Sequence, residues 1–543
     1  MTLAAAGRPD LGGAGSRGSA DRHECGQAPV TSAEPPAGGR GHWPFGLALG
    51  LIALPNLLFL ATHLASGVVA VLCVGATLAA LAHVLADLNR AREPLDRRLL
   101  AVSLVAGFIL CVLGGEAHWF FANDDWLIRD AVLRDLVARP WPVGYRYQGD
   151  ETLLRAPLGL YLAPAIAGKL LGLHAAHLAL LAQDTFLFGG FFYGFARTGG
   201  TFGRSFMILA VFLLFSGWDV AGTWLLGRPL TFGAHLEQWV NALQFSSHVT
   251  QLFWVPNHAA SGWAFVGAYL LWRRGALGVP SLAIVFGLCV FWSPLSMMGA
   301  LPFLGLALVS SPLRETIRPR GMAALALAGL GRIPVALYLQ ADAARVAHGL
   351  RTLDAPFLLG YGLFLGFELL PFVAILAVAR GRRLGPDIVS RWEMPLAIVL
   401  LLLVPLYQLG STDFVMRASI PALALLALRI GAIAVDMQGT RRAIVVLILA
   451  VGAVTPLYEI GRALIRPAFA ISDCSLLEAA GTPPNAGPLY HYVARLDVLH
   501  GTWAGQILAV PETFASVEAR RPCWPDHDRL APASAAESVP DLR

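Results

Sequence analysis

A series of apolar runs, each roughly 18 or more residues long, recurs from Pro44 to about residue 460 and constrains this chain more than any other feature. A helix of that length crosses the hydrocarbon core of a bilayer. The charge content agrees, because only 14% of the residues are charged, whereas a soluble domain carries about 25%. The sequence therefore predicts an all-α polytopic integral membrane protein.

Hydropathy predicts a membrane domain at residues 43–460, with helices of about 15–24 residues. They are expected at 44–64, 66–88, 98–118, 173–196, 204–222, 258–272, 279–293, 294–311, 321–339, 356–379, 393–408, 415–436 and 441–460. The pairs at 44–88 and 279–311 contain short or proline-interrupted segments that could instead be re-entrant. The expected total is about 11–13 transmembrane helices.

The arginine-rich loops predict the orientation, because basic loops stay on the cytoplasmic side of a membrane. Arginines cluster at 90–98, 197–204, 273–274, 314–320, 380–383 and 441–442, and the predicted helices put all of these loops on one side. The expected protein is a multi-pass membrane protein with its N-terminus in the cytoplasm and its C-terminus outside, which in a bacterial inner membrane is the periplasm. The outer segments include a large loop, 116–172.

The two ends of the chain differ in character. Residues 1–42 lack apolar periodicity and are expected to form a disordered cytoplasmic tail. Residues 461–543 form a small periplasmic segment, where Cys474 and Cys523 would share an oxidising compartment and could form a disulfide. No basic run is interleaved with aromatic residues, so the net charge of +5 does not indicate a nucleic-acid partner.

Within the outer loop, the run Asn123-Asp124-Asp125-Trp126 directly follows a predicted membrane helix. The pattern that follows is amphipathic, with Arg129 on the polar face, and predicts a helix that lies in the membrane interface. The aspartate pair suits a general base or a metal-binding site at the depth of a lipid head group. The same pair also suits a helix N-cap.

Later in the same loop, Arg155 precedes an apolar segment with two prolines and is a candidate for holding a phosphate, or for snorkelling from the interface. At the outer end of a later helix, Asp413 and Arg417 are four residues apart and could simply pair. Arg417 is alternatively an anchor for a lipid phosphate, which the planar guanidinium binds well.

The segment 215–263 is dense in carboxylates, amides, imidazoles and indoles. Its candidate substrate-binding residues are Asp219, His235, Glu237, Gln244 and His258. Amides and hydroxyls match the hydroxyls of a sugar, and indole faces stack on its C–H side. Because His235 and Glu237 are two residues apart, they do not share a helical face, which argues against a metal site within this segment. Histidines of this kind also occur as hydrogen-bonded structural groups.

This arrangement resembles the GT-C superfamily, the polytopic glycosyltransferases that use polyprenyl-phosphate-linked sugars. The resemblance rests on Asn123-Asp124-Asp125-Trp126 in a large outer loop and on the placement of the segments 235–258 and 413–417. It implies an inverting transfer in which Asp124 or Asp125 is the general base. Arginine 129, 155 or 417 would neutralise the leaving lipid phosphate. Two adjacent carboxylates permit a divalent metal such as Mg²⁺ or Mn²⁺ without requiring one.

The aspartate pair, the segment 215–263 and the segment 411–421 are expected to form the walls of one shared site at the outer interface. The expected function is therefore transfer of a sugar from a polyprenyl-phosphate donor to an envelope glycan or lipid acceptor at the periplasmic face. One alternative is a transporter or flippase of envelope lipid or polysaccharide. That activity favours ionisable groups near mid-membrane in two related halves, whereas the polar residues here cluster outside the helices and no repeat is visible. A second alternative is a membrane protein without catalytic activity.

Overall fold

Helices make up most of the chain that the computed structural model describes, which comprises residues 41–91, 93–380, 392–410, 412–482, 488–517 and 523. The predicted N-terminal tail, 1–42, lies outside the described residues except for its last two. Arg92, Arg382 and Arg383 of the predicted cytoplasmic loops lie outside them as well.

The first half of the described chain combines long apolar helices with one polar segment that contains a hairpin. Its elements are α1 (Trp43–Thr62), α2 (Gly67–Arg90), α3 (Arg97–Leu113), α4 (Asp125–Ala138), β1 (Gly144–Tyr147), β2 (Asp150–Leu154), α5 (Leu162–Leu171), α6 (Leu173–Ala196), α7 (Phe202–Leu213), α8 (Asp219–Leu225), α9 (His248–Trp254) and α10 (Pro256–Arg273). Polar caps begin some of these helices: Ser66 and Asp96 accept hydrogen bonds from first-turn backbone N–H groups.

The second half adds further helices and four short strands. Its elements are α11 (Val279–Val290), α12 (Pro294–Ser310), α13 (Leu313–Thr316), α14 (Pro319–Gln340), β3 (His348–Leu350), α15 (Ala355–Glu368), α16 (Leu370–Val378), α17 (Glu393–Leu403), β4 (Tyr407–Leu409), α18 (Asp413–Ala418), α19 (Ile420–Asp436), α20 (Gly439–Gly452), α21 (Val454–Ile465), α22 (Leu476–Ala479), β5 (Val493–Arg495), α23 (Trp503–Ile507) and β6 (Phe514–Ala515).

Within the described residues, five helical segments are long and apolar enough to cross a membrane: α1, α2, Leu173–Gly199, α14 and Gly439–Ile465. The pair α15 and α16, bent by 41°, would make a sixth if it is one span. Several of these segments keep wide apolar faces exposed, since only 28% of the most apolar window of Gly439–Ile465 is buried. Exposed apolar surface of this extent is unfavourable in water and typical of helices that face lipid.

Some predicted spans are shorter in the structure. Helix α3 ends at Leu113 because Gly115 adopts a left-handed conformation, with φ of 100°. The span predicted at 204–222 divides into α7 and α8, and the span predicted at 393–408 ends in strand β4. Helix α7, at 12 residues, is about 18 Å long, too short to cross a bilayer by itself.

The all-α prediction misses two small sheets. Strands β1 and β2 form an antiparallel hairpin, which β5 extends on one side and β6 on the other, in the order β5-β2-β1-β6. Strands β3 and β4 form a separate antiparallel ribbon. The first sheet joins the predicted outer loop to the C-terminal segment, so these two regions pack together.

Helix α4 also differs from its predicted form, because it is buried on nearly all sides instead of lying amphipathically on a surface. Asp135 of this helix accepts hydrogen bonds from the hydroxyl of Tyr145 (2.9 Å) and the backbone N–H of Leu476 (2.9 Å). The hairpin and the C-terminal segment therefore cover part of the polar face of this helix. Hydropathy does not predict the burial of this helix, because the segments that bury it are distant in the sequence.

Candidate active site

A cavity of about 650 Å³ lies where α4, the start of α10, the β3–β4 ribbon, α18 and the segment 488–492 meet. Six of the predicted site residues line it: Asp125, Arg129, Arg155, His258, Asp413 and Arg417. The first and the last of these residues are more than 280 residues apart in the sequence. The fold alone brings them together.

The two aspartates of the predicted pair lie in different surroundings at the start of α4. The side chain of Asn123 does the capping: its Oδ1 accepts the backbone N–H of Asp125 (3.1 Å) while its Nδ2 donates to the carbonyl of Phe253 (2.7 Å). Asp124 makes no capping bond, interacts electrostatically with Arg466 and does not line the cavity. Asp125 does line it, and its side chain is 40% exposed.

Three arginines reach the cavity from three different segments. Arg129 pairs with Asp125 at 3.2 Å, and it also donates to the backbone carbonyl of Trp254. Arg155 donates to the carbonyl of Tyr490 (2.6 Å). Arg417 pairs with Asp413 at 2.5 Å.

Each of these arginines keeps one buried guanidinium nitrogen without a hydrogen-bond partner among the described residues. The atoms are Nη1 of Arg129, Nε of Arg155 and Nε of Arg417. A buried charged donor without a partner is costly, so this arrangement favours an anionic ligand that supplies the missing acceptors.

Imidazoles and phenols complete the walls. Nδ1 of His258 lies 2.6 Å from the hydroxyl of Ser293, and Nδ1 of His348 lies 2.7 Å from that of Tyr407. Burial, helped by the nearby charge of Arg417, lowers the pKa of His491, although Asp413 opposes the shift. Burial, followed by the charge of Asp125, raises the pKa of the Tyr492 phenol. Both groups are therefore neutral at neutral pH and able to hydrogen-bond a sugar.

The remaining predicted site residues, Asp219, His235, Glu237 and Gln244, do not line this cavity. Asp219 accepts hydrogen bonds from the hydroxyls of Ser216 and Thr455, each at 2.9 Å. Nδ1 of His235 lies 2.7 Å from Oε1 of Glu459. Of the segment 215–263, only Asn257 and His258 line the cavity.

Glu237 is the centre of this second group, which we call the sealed cluster (Asp219, His235, Glu237 and Gln244). The carboxylate of Glu237 accepts hydrogen bonds from the backbone N–H of Ser247 (2.8 Å), the hydroxyl of Thr250 (2.5 Å) and the amide of Gln244 (2.9 Å). Burial, followed by the nearby Asp219 carboxyl, raises the pKa of Glu237 to about 7. These hydrogen bonds come from the chain itself, as in a structural core group.

The cavity carboxylates do not gather as metal ligands. Asp124 does not line the cavity, and Asp125 and Asp413 each pair with an arginine. The predicted Mg²⁺ or Mn²⁺ site at Asp124 and Asp125 therefore does not fit this donor set.

Sequence reasoning did not single out the cavity residues His348, Tyr407, His491 and Tyr492. The run Tyr490-His491-Tyr492 is a signal that could have indicated a site in the C-terminal segment. Because β5 begins at Val493 and pairs with β2, this run is held against the wall that contains Arg155. Cys474 and Cys523 are joined by a disulfide, with their Cα atoms 5.7 Å apart.

Comparisons of this chain with models of protein families, with curated proteins and with solved structures found no match.

Proposed function

We propose that this chain is a membrane glycosyltransferase that transfers a sugar from a polyprenyl-phosphate donor to an envelope glycan or lipid acceptor. The observation that carries the proposal is the cavity itself. It combines the more exposed of its two carboxylates, Asp125, with three arginines that each keep one nitrogen without a partner among the described residues. A general base opposite a phosphate-binding group is what this displacement needs.

Asp125 is the proposed base, in preference to Asp124. It takes the proton of the acceptor hydroxyl while that oxygen forms a bond to the anomeric carbon of the donor. The bond between the anomeric carbon and the lipid-phosphate oxygen breaks, and its electron pair leaves with the phosphate. The anomeric configuration inverts in this single displacement.

The arginines are proposed to stabilise the departing phosphate. Arg155 and Arg417 come from separate segments, and both line the cavity. Negative charge grows on the phosphate oxygens as the glycosidic bond breaks, and preorganised charged donors stabilise that change. The neutral phenols and imidazoles would hold the sugar hydroxyls.

We also propose that the protein lies in a bacterial inner membrane and that the cavity is on its periplasmic side. Shorter apolar helices, among them Val279–Val290 and Pro294–Ser310, would complete a domain of about 11–13 membrane segments. Apolar residues such as Ile128, Leu295 and Leu339 also line the cavity, and this lining suits the first units of a polyprenyl chain.

The test compares Asp125→Asn with Asp124→Asn, two identical changes at neighbouring positions. Cells carrying each variant are analysed for envelope glycans and lipid-linked sugars, with the amount of membrane protein measured in parallel. Loss of a positioned base lowers rates by about 10²–10⁴-fold, so Asp125→Asn should abolish one glycan product and accumulate its donor. Asp124→Asn should retain the product. If Asp125→Asn leaves every glycan and donor pool unchanged, the proposed function is wrong.

A further inference from the structure

A second group of potential ligands lies apart from the cavity, at His118, Asp130 and His177. Each residue offers one ligating atom, and these atoms lie within 4.8 Å of one another. His118 ends a short 3₁₀ turn after α3, Asp130 lies on α4, and His177 lies near the start of α6. The three side chains therefore join three separate segments of the fold.

The hydrogen bonding of this group is incomplete. Asp130 and His177 have no exposed surface, and His118 is buried as well. Neither ring nitrogen of His177 nor Oδ1 of Asp130 has a hydrogen-bond partner among the described residues, while Oδ2 of Asp130 lies 2.9 Å from Nε2 of His118. Buried polar atoms are normally satisfied, so several unsatisfied atoms that face one another indicate a missing shared partner.

The ring of His118 is oriented as a metal ligand would be. Its Nδ1 lies 3.2 Å from the backbone carbonyl of Phe469, and because a carbonyl only accepts, Nδ1 carries the proton. In the neutral ring the lone pair is then on Nε2, which lies 2.9 Å from Oδ2 of Asp130. A backbone carbonyl that accepts from the far nitrogen is the usual support of a ligating histidine.

The backbone at this point is also held in an unfavourable conformation. Ala117 and His118 have φ values of 60° and 57°, a left-handed conformation that is disfavoured for residues with a Cβ. Such conformations persist where the surroundings impose them, and they are enriched at ligand sites.

We propose that His118, Asp130 and His177 bind a divalent transition-metal cation, with Zn²⁺ as the best match. Two imidazoles and one carboxylate form a three-residue ligand set that Zn²⁺ accepts, with a fourth position left for water. The cation would satisfy His177, Asp130 and Nε2 of His118 together. A simple ion pair between His118 and Asp130 would leave His177 without a partner.

The role of the cation would be to position α4. Asp125 and Asp130 are five residues apart on this helix, so their side chains point about 140° away from each other. The metal would tie one face of α4 to α6, while the opposite side presents Asp125 and Arg129 to the cavity. The metal site does not depend on the proposed sugar transfer.

The test measures metal binding by the purified full-length protein in detergent. The protein is stripped with a chelator, dialysed and titrated with Zn²⁺, and separately with Co²⁺, whose visible d–d absorption reports low-coordinate binding by nitrogen and oxygen ligands. We expect tight uptake stoichiometric with the chain, and a higher unfolding temperature with Zn²⁺. If stripped wild-type protein takes up neither ion stoichiometrically, the proposal is overturned, whatever the variants do.

The helix α6 supplies a matched control. His177→Gln changes the buried histidine, and His174→Gln makes the same change one turn earlier at an exposed position. We expect His177→Gln to lose tight binding and the Zn²⁺-dependent rise in unfolding temperature, while His174→Gln keeps both. Equal Zn²⁺ and Co²⁺ binding by the two variants would refute the site. Because the readout is metal uptake, the result is independent of any glycosyltransferase assay.

Discussion

The cavity around Asp125 and the sealed cluster around Glu237 contain the same kinds of residue, and both were predicted as parts of one substrate site. In the sealed cluster, Glu237 accepts three hydrogen bonds from its own chain. In the cavity, Asp125 is 40% exposed, and three arginines each keep one nitrogen that has no partner in the described part of the chain. The two groups differ in whether the fold already satisfies the central carboxylate, and this difference is why we propose the cavity, and not the sealed cluster, as the binding site.

A large loss of activity is expected when the proposed phosphate-binding side of the cavity is changed. Arg417→Met should lower kcat/KM for the lipid-linked donor about 30-fold or more, because losing a buried charged donor costs at least about 2 kcal/mol. Transfer from purified donor lipid in proteoliposomes measures this ratio. Arg228→Met is the control, since Arg228 is an exposed arginine next to the sealed cluster that donates to the carbonyl of Gln238. Equal losses in both variants would contradict the role of Arg417.

A smaller effect is expected in the pH dependence of stability. The pKa of Glu237 is about 7 in the folded chain against an ordinary value near 4.3, so between these values the folded state binds more protons. Stability from this group is complete below the lower value and is lost as pH rises through about 7. The unfolding temperature of wild type should therefore fall between pH 5 and 8.

Glu237→Gln sharpens this prediction because the amide does not titrate. Its unfolding temperature should vary less between pH 5 and 8 than that of wild type, whereas Asp125→Asn should follow wild type. If the slopes of all three proteins coincide, Glu237 does not titrate as described.

The sequence predicts the apolar helices well and the packing between polar segments poorly. Long periodic runs such as Leu173–Ala196 are recognised because one local pattern determines them. The presence of Asp125 and Arg417 in one cavity also follows the prediction. The sheet that joins β1 and β2 to β5 and β6 depends on pairing between strands more than 300 residues apart, and no local pattern reports that pairing.

The same limit explains why the sequence could not separate the cavity from the sealed cluster. His235 and His258 are both aromatic acid–base groups near the ends of apolar helices. His235 forms a hydrogen bond with Glu459 on α21. His258 lies at the start of α10 and lines the cavity. Only the positions of distant partners distinguish these two histidines, so the sequence alone makes both of them equal candidates for substrate binding.

The most direct test of Asp125 as the proposed base compares Asp125→Asn with Glu237→Gln in one assay. Both changes replace a carboxylate by an amide, one in the cavity and one in the sealed cluster. Purified variants in proteoliposomes are given lipid-linked sugar extracted from cells, and release of polyprenyl phosphate is measured per folded molecule. We expect at least about a 100-fold loss for Asp125→Asn and near wild-type release for Glu237→Gln. Unchanged release by Asp125→Asn, or the larger loss in Glu237→Gln, would contradict this role of Asp125.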